Sequence, residues 1–374
     1  MVDGQEVVVI FGAGATKACG GPLTSEILPL AFRNRQSIAN EGFIEVLDKF
    51  LVQNFHVPAC IDSREDRHYP SLPLLIGLID IAVDRKHSIG SRWGGNDLAR
   101  VREALDYVIF AIIEHGLSSI TNHYQSFLSK IHESTGKPPT VISLNYDIIA
   151  DNSLAACSER PTEPIGFPDF GFPDYGCDVA TPIYRETPKF GKLLKLHGSL
   201  NWLYCPCCHR LDIGVSENGR YMAKALELLY MAEQDRGGLG QRYRCHGSPC
   251  PDCRTSVKPV MISPTYMKDY RNPHIALTWY LADRALRQAD RAIFVGYSMP
   301  SDDVDVIYLL KRALGHLEDK RITVVEYVDR KEHNACDARQ DAWKHEVGAR
   351  YCTIFGGNID WQPDGFAAYV DRYV

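Results

Sequence analysis

Five short apolar runs, rich in β-branched residues, are spaced along the chain, and each ends at a glycine or a polar residue. Runs of this length and composition are typical of strands that are buried on both faces of a parallel sheet. They cover residues 7–11 before Gly12, 140–144 before Asn145, 192–196 before His197, 291–295 before Gly296, and 322–325 before Glu326. Ligands of open α/β sheets bind beyond the carboxyl ends of the strands, so we expect these ends to converge on one crevice.

Helical periodicity dominates between these runs. Apolar residues at three- and four-residue spacing predict one long amphipathic helix, with a core-facing stripe formed by Leu98, Val101, Leu105, Val108, Ile109 and Ile112. Residues 31–137 as a whole show this pattern and no convincing strand, and we interpret them as a helical insertion that caps the sheet or makes subunit contacts. Residues 161–188 are rich in Pro, Gly, Phe and Tyr, which indicates a long structured loop of the kind that forms lids in enzymes.

The composition is typical of a folded globular protein and argues against nucleic-acid binding and membrane association. With 374 residues, of which 45% are hydrophobic and 24% charged, the chain is expected to form one large α/β domain with insertions, or two domains. The formal net charge of −6 argues against direct binding of nucleic acid by phosphate neutralisation. No apolar run is long enough to span a bilayer, and the first residues do not resemble a cleavable targeting peptide. We therefore expect no membrane association and a cytoplasmic location.

Half of the twelve cysteines lie between Cys205 and Cys253, which favours a metal site over a disulfide scaffold. Two C-x-x-C pairs, Cys205 with Cys208 and Cys250 with Cys253, have the spacing at which four thiolates bind one tetrahedral zinc ion. Neighbouring residues are alternative ligands: Cys207, His209, Cys245 and His246. Four thiolates leave no open coordination position, so this zinc is predicted to stabilise the fold and to take no part in catalysis.

These patterns together predict an α/β fold. Its core is a Rossmann-like parallel sheet with helices on both faces, to which a helical insertion and a small zinc-binding module are added. The Rossmann-like domain is expected over residues 1–30, 138–204 and 259–374. The helical insertion is expected over residues 31–137, and the zinc-binding module over residues 205–258.

Polar residues at the predicted strand ends are candidates for chemistry. The turn from Gly12 to Thr16 precedes a helical pattern, so its backbone amides can bind a pyrophosphate, although it lacks the third glycine of the usual fingerprint and a purely structural turn is the alternative. Asn145 can bind hydroxyls or a water and Asp147 can bind a carboxamide, but both residue types are also common in turns. His197 is placed to act as a general base, and a structural role is the alternative in a chain with thirteen histidines.

The order of these motifs resembles that of sirtuins across nearly the whole chain except the insertion. The resemblance rests on Gly12-Ala13-Gly14, Asn145 with Asp147, Leu196-His197-Gly198, the paired cysteines, and Gly296-Tyr297-Ser298. Other segments are similar to divergent bacterial sirtuin-like proteins, many of which are NAD hydrolases of antiphage defence systems. These segments are Lys195 to Trp202, Ile262 to Thr265, Trp279, and Gly296 to Pro300 with Asp302 and Asp303.

The resemblance implies that NAD is the substrate and that a structural zinc ion is present. It makes Asn145 and His197 the catalytic pair and places Asp147 near nicotinamide. Two glycine-containing turns would hold the phosphates and the ribose, and Glu326 would lie near the adenosine ribose. The implied cofactor-binding set is Gly12, Ala13, Gly14, Thr16, Asp147, Gly296, Ser298 and Glu326.

Two departures from the deacylase pattern favour water over a peptide as the acceptor. The residues from Gly20 to Thr24 replace a Gly-Ile-Pro-Asp-Phe-Arg-like stretch, and Pro264 removes a backbone donor where deacylases pair with an acyl-lysine peptide. We therefore expect an NAD hydrolase, with a protein-lysine deacylase and a non-catalytic NAD or ADP-ribose sensor as alternatives. Since unrestricted NAD cleavage is toxic, we expect gating by a partner, a ligand or assembly. The candidates are a homo-oligomer and a partner protein such as a DNA translocase or another defence component.

Overall fold

The computed structural model describes residues 4–35, 41–58, 68–117, 121–158, 167–172, 189–214, 248–262, 268, 270–318, 320–331 and 335–373. The chain divides into two units: unit 1 comprises Met1–Gly20, Ile120–Met261 and Tyr270–Val374, and unit 2 comprises Gly21–Ser119 and Ile262–Asp269. These limits differ from the predicted insertion of residues 31–137, because the helix His123–Thr135 belongs to unit 1. The loop predicted over residues 161–188 lies outside the described residues except for 167–172.

Helices account for much of both units. Unit 2 contains α2 (Ile27–Arg33), α3 (Glu41–Phe55), α4 (Leu72–Asp84) and α5 (Gly95–Gly116), with a short 3-10 helix at Thr24–Glu26. Unit 1 contains α1 (Ala13–Ala18), α6 (His123–Thr135), α7 (Ile149–Cys157), α8 (Pro273–Gln288), α9 (Val304–Ala313), α10 (Ala335–Gln340), α11 (Glu346–Phe355) and α12 (Phe366–Arg372), with a 3-10 helix at Ala342–Lys344.

A seven-stranded parallel sheet forms the centre of unit 1 and confirms the predicted α/β class. Its strands are β1 (Val7–Phe11), β2 (Thr140–Ser143), β3 (Phe167–Asp169), β4 (Lys189–Lys195), β8 (Arg291–Val295), β9 (Ile322–Val325) and β10 (Asp360–Gln362). They lie in the order β10-β9-β8-β1-β2-β4-β3, and each neighbouring pair is parallel. The earliest strand in the chain is therefore central, and the later ones are added on both sides of it.

Helices cover both faces of this sheet. Val8 and Ile10 of β1 belong to one apolar cluster with residues of α8, α9 and α11. On the opposite face, the ring of Phe11 stacks on Tyr124 of α6 at a centroid distance of 4.1 Å, and Tyr124 contacts Phe366 of α12 at 5.6 Å. Because consecutive strand residues point to opposite faces, this double covering explains why all five residues of β1 are buried.

Unit 2 is helical in the part of it that the structure describes. The predicted amphipathic helix is α5, and all six residues of its apolar stripe are buried. Arg102 of α5 donates from Nε to Asp80 of α4 at 2.8 Å and also pairs with Asp106 one turn further along α5. Ser71 accepts a hydrogen bond from Leu74 N at 3.4 Å and so caps the start of α4.

A second, antiparallel sheet leads from the end of β4 to the cysteine cluster. It consists of β5 (Gly198–Tyr204), β6 (Leu211–Ile213) and β7 (Lys258–Met261) in the order β6-β5-β7. Trp202 of β5 is fully buried, and its ring meets Phe170 edge-on at 5.5 Å. Among the described residues, every helix is too short or too polar to cross a membrane.

Candidate functional site

The residues predicted from the sequence lie beyond the carboxyl ends of five adjacent strands. Gly12 follows β1, Asn145 comes two residues after β2, His197 two residues after β4, Gly296 follows β8, and Glu326 follows β9. These strands are neighbours in the order β9-β8-β1-β2-β4. The fold therefore brings the predicted positions together at the carboxyl ends of the strands, which is where ligands of open α/β sheets bind.

The turns after β1 and β8 contact each other through their backbones. Gly12 N donates to Val295 O at 3.0 Å, and Gly14 N donates to Gly296 O at 2.8 Å. Gly296 has a φ of +61°, and a Cβ atom there would lie 2.1 Å from Ala15 N. The glycines thus permit the close approach of the two turns. The amides of Gly12 and Gly14 donate within the protein, so these two glycines shape the turn, and their contact with NAD stays a prediction.

The side chain of Asn145 is buried and faces the turn after β1. Its Nδ2 lies 2.9 Å from Gly12 O, 3.0 Å from Thr16 Oγ1 and 3.3 Å from the hydroxyl of Tyr124. These contacts fix the orientation of the amide plane, and only 8% of the residue is exposed. Because Nδ2 is engaged within the protein, Oδ1 is the amide atom through which Asn145 can orient a water or a hydroxyl.

Asp147 organises the loop after β2. Its Oδ2 accepts a hydrogen bond from Thr16 Oγ1 at 2.6 Å, and its Oδ1 accepts one from Ile149 N at 3.0 Å. The second bond satisfies an amide in the first turn of α7, which has no partner within the helix. Both carboxylate oxygens are therefore engaged within the protein, and a contact between Asp147 and nicotinamide stays a prediction.

Both ring nitrogens of His197 are buried, and one of them contacts the backbone. Its Nδ1 lies 3.2 Å from Leu144 O. A carbonyl oxygen only accepts hydrogen bonds, so in the neutral ring Nδ1 carries the proton and Nε2 keeps its lone pair. Trp279 Nε1 donates to Leu196 O at 3.0 Å and fixes the preceding peptide, and the ring of Tyr146 lies 6.4 Å from the imidazole. Nε2 is the basic atom of this site.

Ser298 and Glu326 lie on the β8 and β9 side of the strand ends. Ser298 is exposed, and its carbonyl oxygen accepts a hydrogen bond from Arg350 Nη1 at 2.9 Å. Glu326 Oε1 accepts one from Tyr327 N at 2.8 Å. Burial raises the pKa of Glu326, and the hydrogen bond from Tyr327 opposes this rise. The predicted contacts of both residues with NAD stay predictions.

The four cysteines predicted to bind zinc lie together. Their Sγ atoms are all within 4.8 Å of one another, and the pairs Cys205–Cys253 and Cys208–Cys250 are each separated by 3.4 Å. Four sulfurs bound at about 2.3 Å to one zinc ion are ~3.8 Å apart in a tetrahedron. The cluster therefore fits a tetrahedral zinc ion, and the alternative ligand Cys207 is exposed and outside it.

The two cysteine pairs are built alike. In each pair, the amide of the first cysteine donates to the carbonyl oxygen five residues later, at 2.8 Å for both Cys205 and Cys250. The carbonyl oxygen of the first cysteine accepts from the amide four residues later, at 3.0 Å for Cys205 and 2.9 Å for Cys250. His209 and Arg254, which follow the second cysteines, have φ values of +64° and +65°. The ring of His209 pairs with the hydroxyl of Tyr204. The remaining alternative ligands, at positions 245 and 246, lie outside the described residues.

Three buried polar residues that support the strand ends are missed by the sequence reasoning. The hydroxyl of Tyr124 contacts Asn145, while Lys195 and Asp151 are fully buried and paired at 3.0 Å. Lys195 is a charged residue within an apolar run, and that is the clue in the sequence. Tyr124 and Asp151 lie in helices, where a polar residue is ordinary and gives no indication of its partner.

No protein-family model matches the chain, and no curated protein is similar to it in sequence. Solved structures of Sir2 enzymes are similar to it. One, on the mechanism and regulation of Sir2 enzymes, is 16% identical with a TM-score of 0.39, covering 98% of this chain and 89% of the other. One on sirtuin substrate affinity is 12% identical with a TM-score of 0.42, covering 98% and 91%. A Sir2 homologue–NAD complex is 12% identical with a TM-score of 0.37, covering 98% and 87%. Identities and TM-scores are low, so this likeness assigns no role to any residue.

Proposed function

We propose that this chain is an NAD hydrolase that cleaves the bond between nicotinamide and ribose and releases nicotinamide and ADP-ribose. The observation that carries the proposal is the contact of His197 Nδ1 with Leu144 O at 3.2 Å, which makes Nε2 the basic atom. That base lies at the same edge of the sheet as the fixed amide of Asn145. NAD is proposed as the substrate because the motifs at these strand ends resemble those of sirtuins.

In the proposed reaction, the bond between C1′ of the ribose and the nicotinamide nitrogen breaks, and its electron pair passes to nicotinamide. Positive charge builds on the ribose as a water molecule attacks C1′ from the opposite face. Asn145 Oδ1 orients this water, and His197 Nε2 accepts the proton that the water loses. The products are nicotinamide, ADP-ribose and one proton, which His197 then returns to solvent.

The remaining predicted residues are proposed to hold NAD around this centre. Ala13 and Thr16 lie in the first turn of α1, where phosphate oxygens can meet backbone amides. Ser298, in the exposed part of the turn after β8, is proposed to bind a ribose or phosphate oxygen. Glu326 is proposed to accept hydrogen bonds from the hydroxyls of the adenosine ribose, as acidic residues at strand ends do in dinucleotide-binding folds.

We also propose that the hydrolase acts in the cytoplasm as a gated effector of antiphage defence. An ungated enzyme would deplete the NAD of its own cell, so the activity requires control by assembly or by a ligand. A homo-oligomer and a partner such as a DNA translocase are the proposed sources of control. Co-purification of the native protein with its partners, followed by a comparison of NAD turnover with and without them, tests this part of the proposal.

The test of the proposed chemistry compares two histidine variants. In His197→Ala, NAD cleavage should fall by on the order of a hundredfold to ten-thousandfold, the usual effect of removing a general base. His316→Ala is the matched control, because its ring contacts Ala313 O at 3.1 Å and Ala289 O at 2.9 Å, at the opposite end of β8. The control should cleave NAD at the wild-type rate. Equal rates in wild type and His197→Ala would contradict the assignment of the base.

A further inference from the structure

Lys195 and Asp151 form an ion pair that is completely buried. Lys195 Nζ lies 3.0 Å from Asp151 Oδ2, and both side chains are 0% exposed. Burial raises the pKa of Asp151, and the ammonium group of Lys195 opposes this rise. Replacing such a pair by apolar residues of similar volume is often neutral or stabilising, because taking two charges out of water is costly. Stability alone therefore does not account for this pair.

The ammonium group of Lys195 also contacts the loop that carries Asn145. Its Nζ donates to Asp147 O at 2.6 Å. The carboxylate of Asp147 accepts from Thr16 Oγ1 at 2.6 Å, and Thr16 Oγ1 accepts from Asn145 Nδ2 at 3.0 Å. One series of contacts, which we call the Lys195 relay, thus runs from the ammonium group through Asp147 and Thr16 to the amide of Asn145.

Lys195 is connected to His197 as well, through the chain itself. It is the last residue of β4, two positions before His197. A single buried side chain therefore joins the end of β4, which carries the proposed base, to the loop after β2, which carries the amide proposed to orient water. Without this ammonium group, the carbonyl of Asp147 would lose its buried donor, and the loop could rotate.

We propose that Lys195 is a positioning residue for NAD cleavage, because it holds Asn145 and His197 in register through the Lys195 relay. Asp151 is the buried counter-ion of its ammonium group. This inference rests on the proposed NAD hydrolase function. Lys195 contacts no reacting atom in this scheme. Its effect is geometric, and a displacement of about 1 Å at a reacting centre lowers the rate by about a hundredfold.

The test replaces both partners at once. In Lys195→Met with Asp151→Leu, no unpaired charge is left, so the protein should still fold, with a melting temperature lowered only by the loss of the donor to Asp147 O. We expect kcat for NAD to fall by about a hundredfold with KM changed less than about threefold, because NAD binding is retained while the catalytic geometry is lost. If the pair only stabilises the fold, the folded double variant will keep the wild-type kcat, and the proposal is wrong.

A control replaces a partly buried ion-pair cluster in unit 2. Arg102 pairs with Asp80 at 2.8 Å and also with Asp106, so Arg102→Met with Asp80→Leu and Asp106→Asn leaves no unpaired charge and should leave kcat unchanged. Should the first double variant fail to fold, Thr16→Val breaks the same relay without removing a charge. A drop in kcat at unchanged KM in folded Thr16→Val supports the relay, and a wild-type kcat overturns it. Absence of NAD cleavage in the wild-type protein would instead contradict the proposed function itself.

Discussion

At the scale of single residues, the contact between the turns after β1 and β8 permits a specific stability prediction. In Gly296→Ala, the added Cβ would lie 2.1 Å from Ala15 N at a residue with a φ of +61°. A left-handed conformation costs a residue with a Cβ about 1–2 kcal/mol before any clash is counted. We therefore expect the free energy of unfolding to fall by more than ~2 kcal/mol, measured by urea denaturation.

Gly90→Ala is the matched control for this variant. Gly90 has a φ of +62°, and a Cβ there would meet only Asn54 Oδ1 at 3.1 Å, at the end of a side chain that can move. The control should therefore show the backbone cost alone and lose less stability than Gly296→Ala. Equal losses in the two variants would mean that the two turns are not in the close contact described above.

Glu326 gives a prediction about pH. Burial raises its pKa above the ordinary value of 4.5, so the folded state binds the proton more tightly than the unfolded state does. The protonated carboxyl group of Glu326 therefore contributes stability at low pH, and this contribution is lost as the pH rises through the raised pKa. Glu326→Gln keeps the oxygen that accepts from Tyr327 N but carries no charge.

We expect Glu326→Gln to be more stable than wild type near neutral pH and equally stable at about pH 3, well below both the ordinary and the raised pKa, where the carboxyl group is protonated in both states. Melting temperatures of both proteins across this range provide the measurement. Other titrating groups are common to both proteins, so the difference between the curves isolates Glu326. A variant that is less stable than wild type near neutral pH would contradict this account of the carboxylate.

The sequence was sufficient to locate the candidate residues but not to identify their partners. Asn145, Asp147 and His197 could be singled out because each follows an apolar run that ends abruptly. Their contacts join distant parts of the chain: Asp147 binds Thr16, 131 positions away, and Lys195 binds Asp151 across 44 positions. Such pairings depend on strand order, which local patterns do not contain.

At the scale of elements, the zinc-binding turns provide a matched pair of cysteine variants. Cys208 belongs to the four-sulfur cluster, whereas Cys207 is its exposed neighbour outside the cluster. Wild-type protein should contain about one zinc ion per chain. Cys208→Ser should lose it and become unstable or insoluble, because structural zinc contributes directly to folding free energy. Cys207→Ser should keep both zinc and stability.

Metal analysis of freshly prepared, reduced protein, together with a chelator assay, measures this outcome. A zinc-free wild-type protein that is nevertheless folded would contradict the zinc site. Loss of zinc in Cys207→Ser but not in Cys208→Ser would show that the ligands are assigned to the wrong residues. The two C-x-x-C pairs allowed the site to be predicted because the spacing of ligands within each tight turn is local information.

The apolar pattern of the sequence predicts the inner strands of the parallel sheet but not its edge strands. The five apolar runs match strands buried within the sheet to within three residues at each end. The pattern does not predict β3 and β10, which are three-residue strands at the two edges, and every residue of β10 is partly exposed. An edge strand is defined by the neighbour with which it pairs, so its own residues carry little periodicity.

At the scale of the whole molecule, the sequence predicted the α/β class but not the limits of the two units. Helix α6 has the same kind of amphipathic pattern as α5, and both were therefore included in one insertion. In the structure, α6 belongs to unit 1, where Tyr124 stacks on Phe11 of β1 at 4.1 Å. Periodicity shows that a helix has a buried face, but it does not show which core that face joins.

We propose that this chain transfers the ADP-ribosyl group of NAD to water. The decisive experiment is incubation of NAD with an excess of the purified protein, with and without an acetyl-lysine peptide, followed by mass spectrometry of the products. An excess of protein reveals even a slow turnover by a gated enzyme. We predict equal amounts of nicotinamide and ADP-ribose that do not depend on the peptide. Turnover only with peptide, giving O-acetyl-ADP-ribose, or intact NAD under both conditions would contradict the claim.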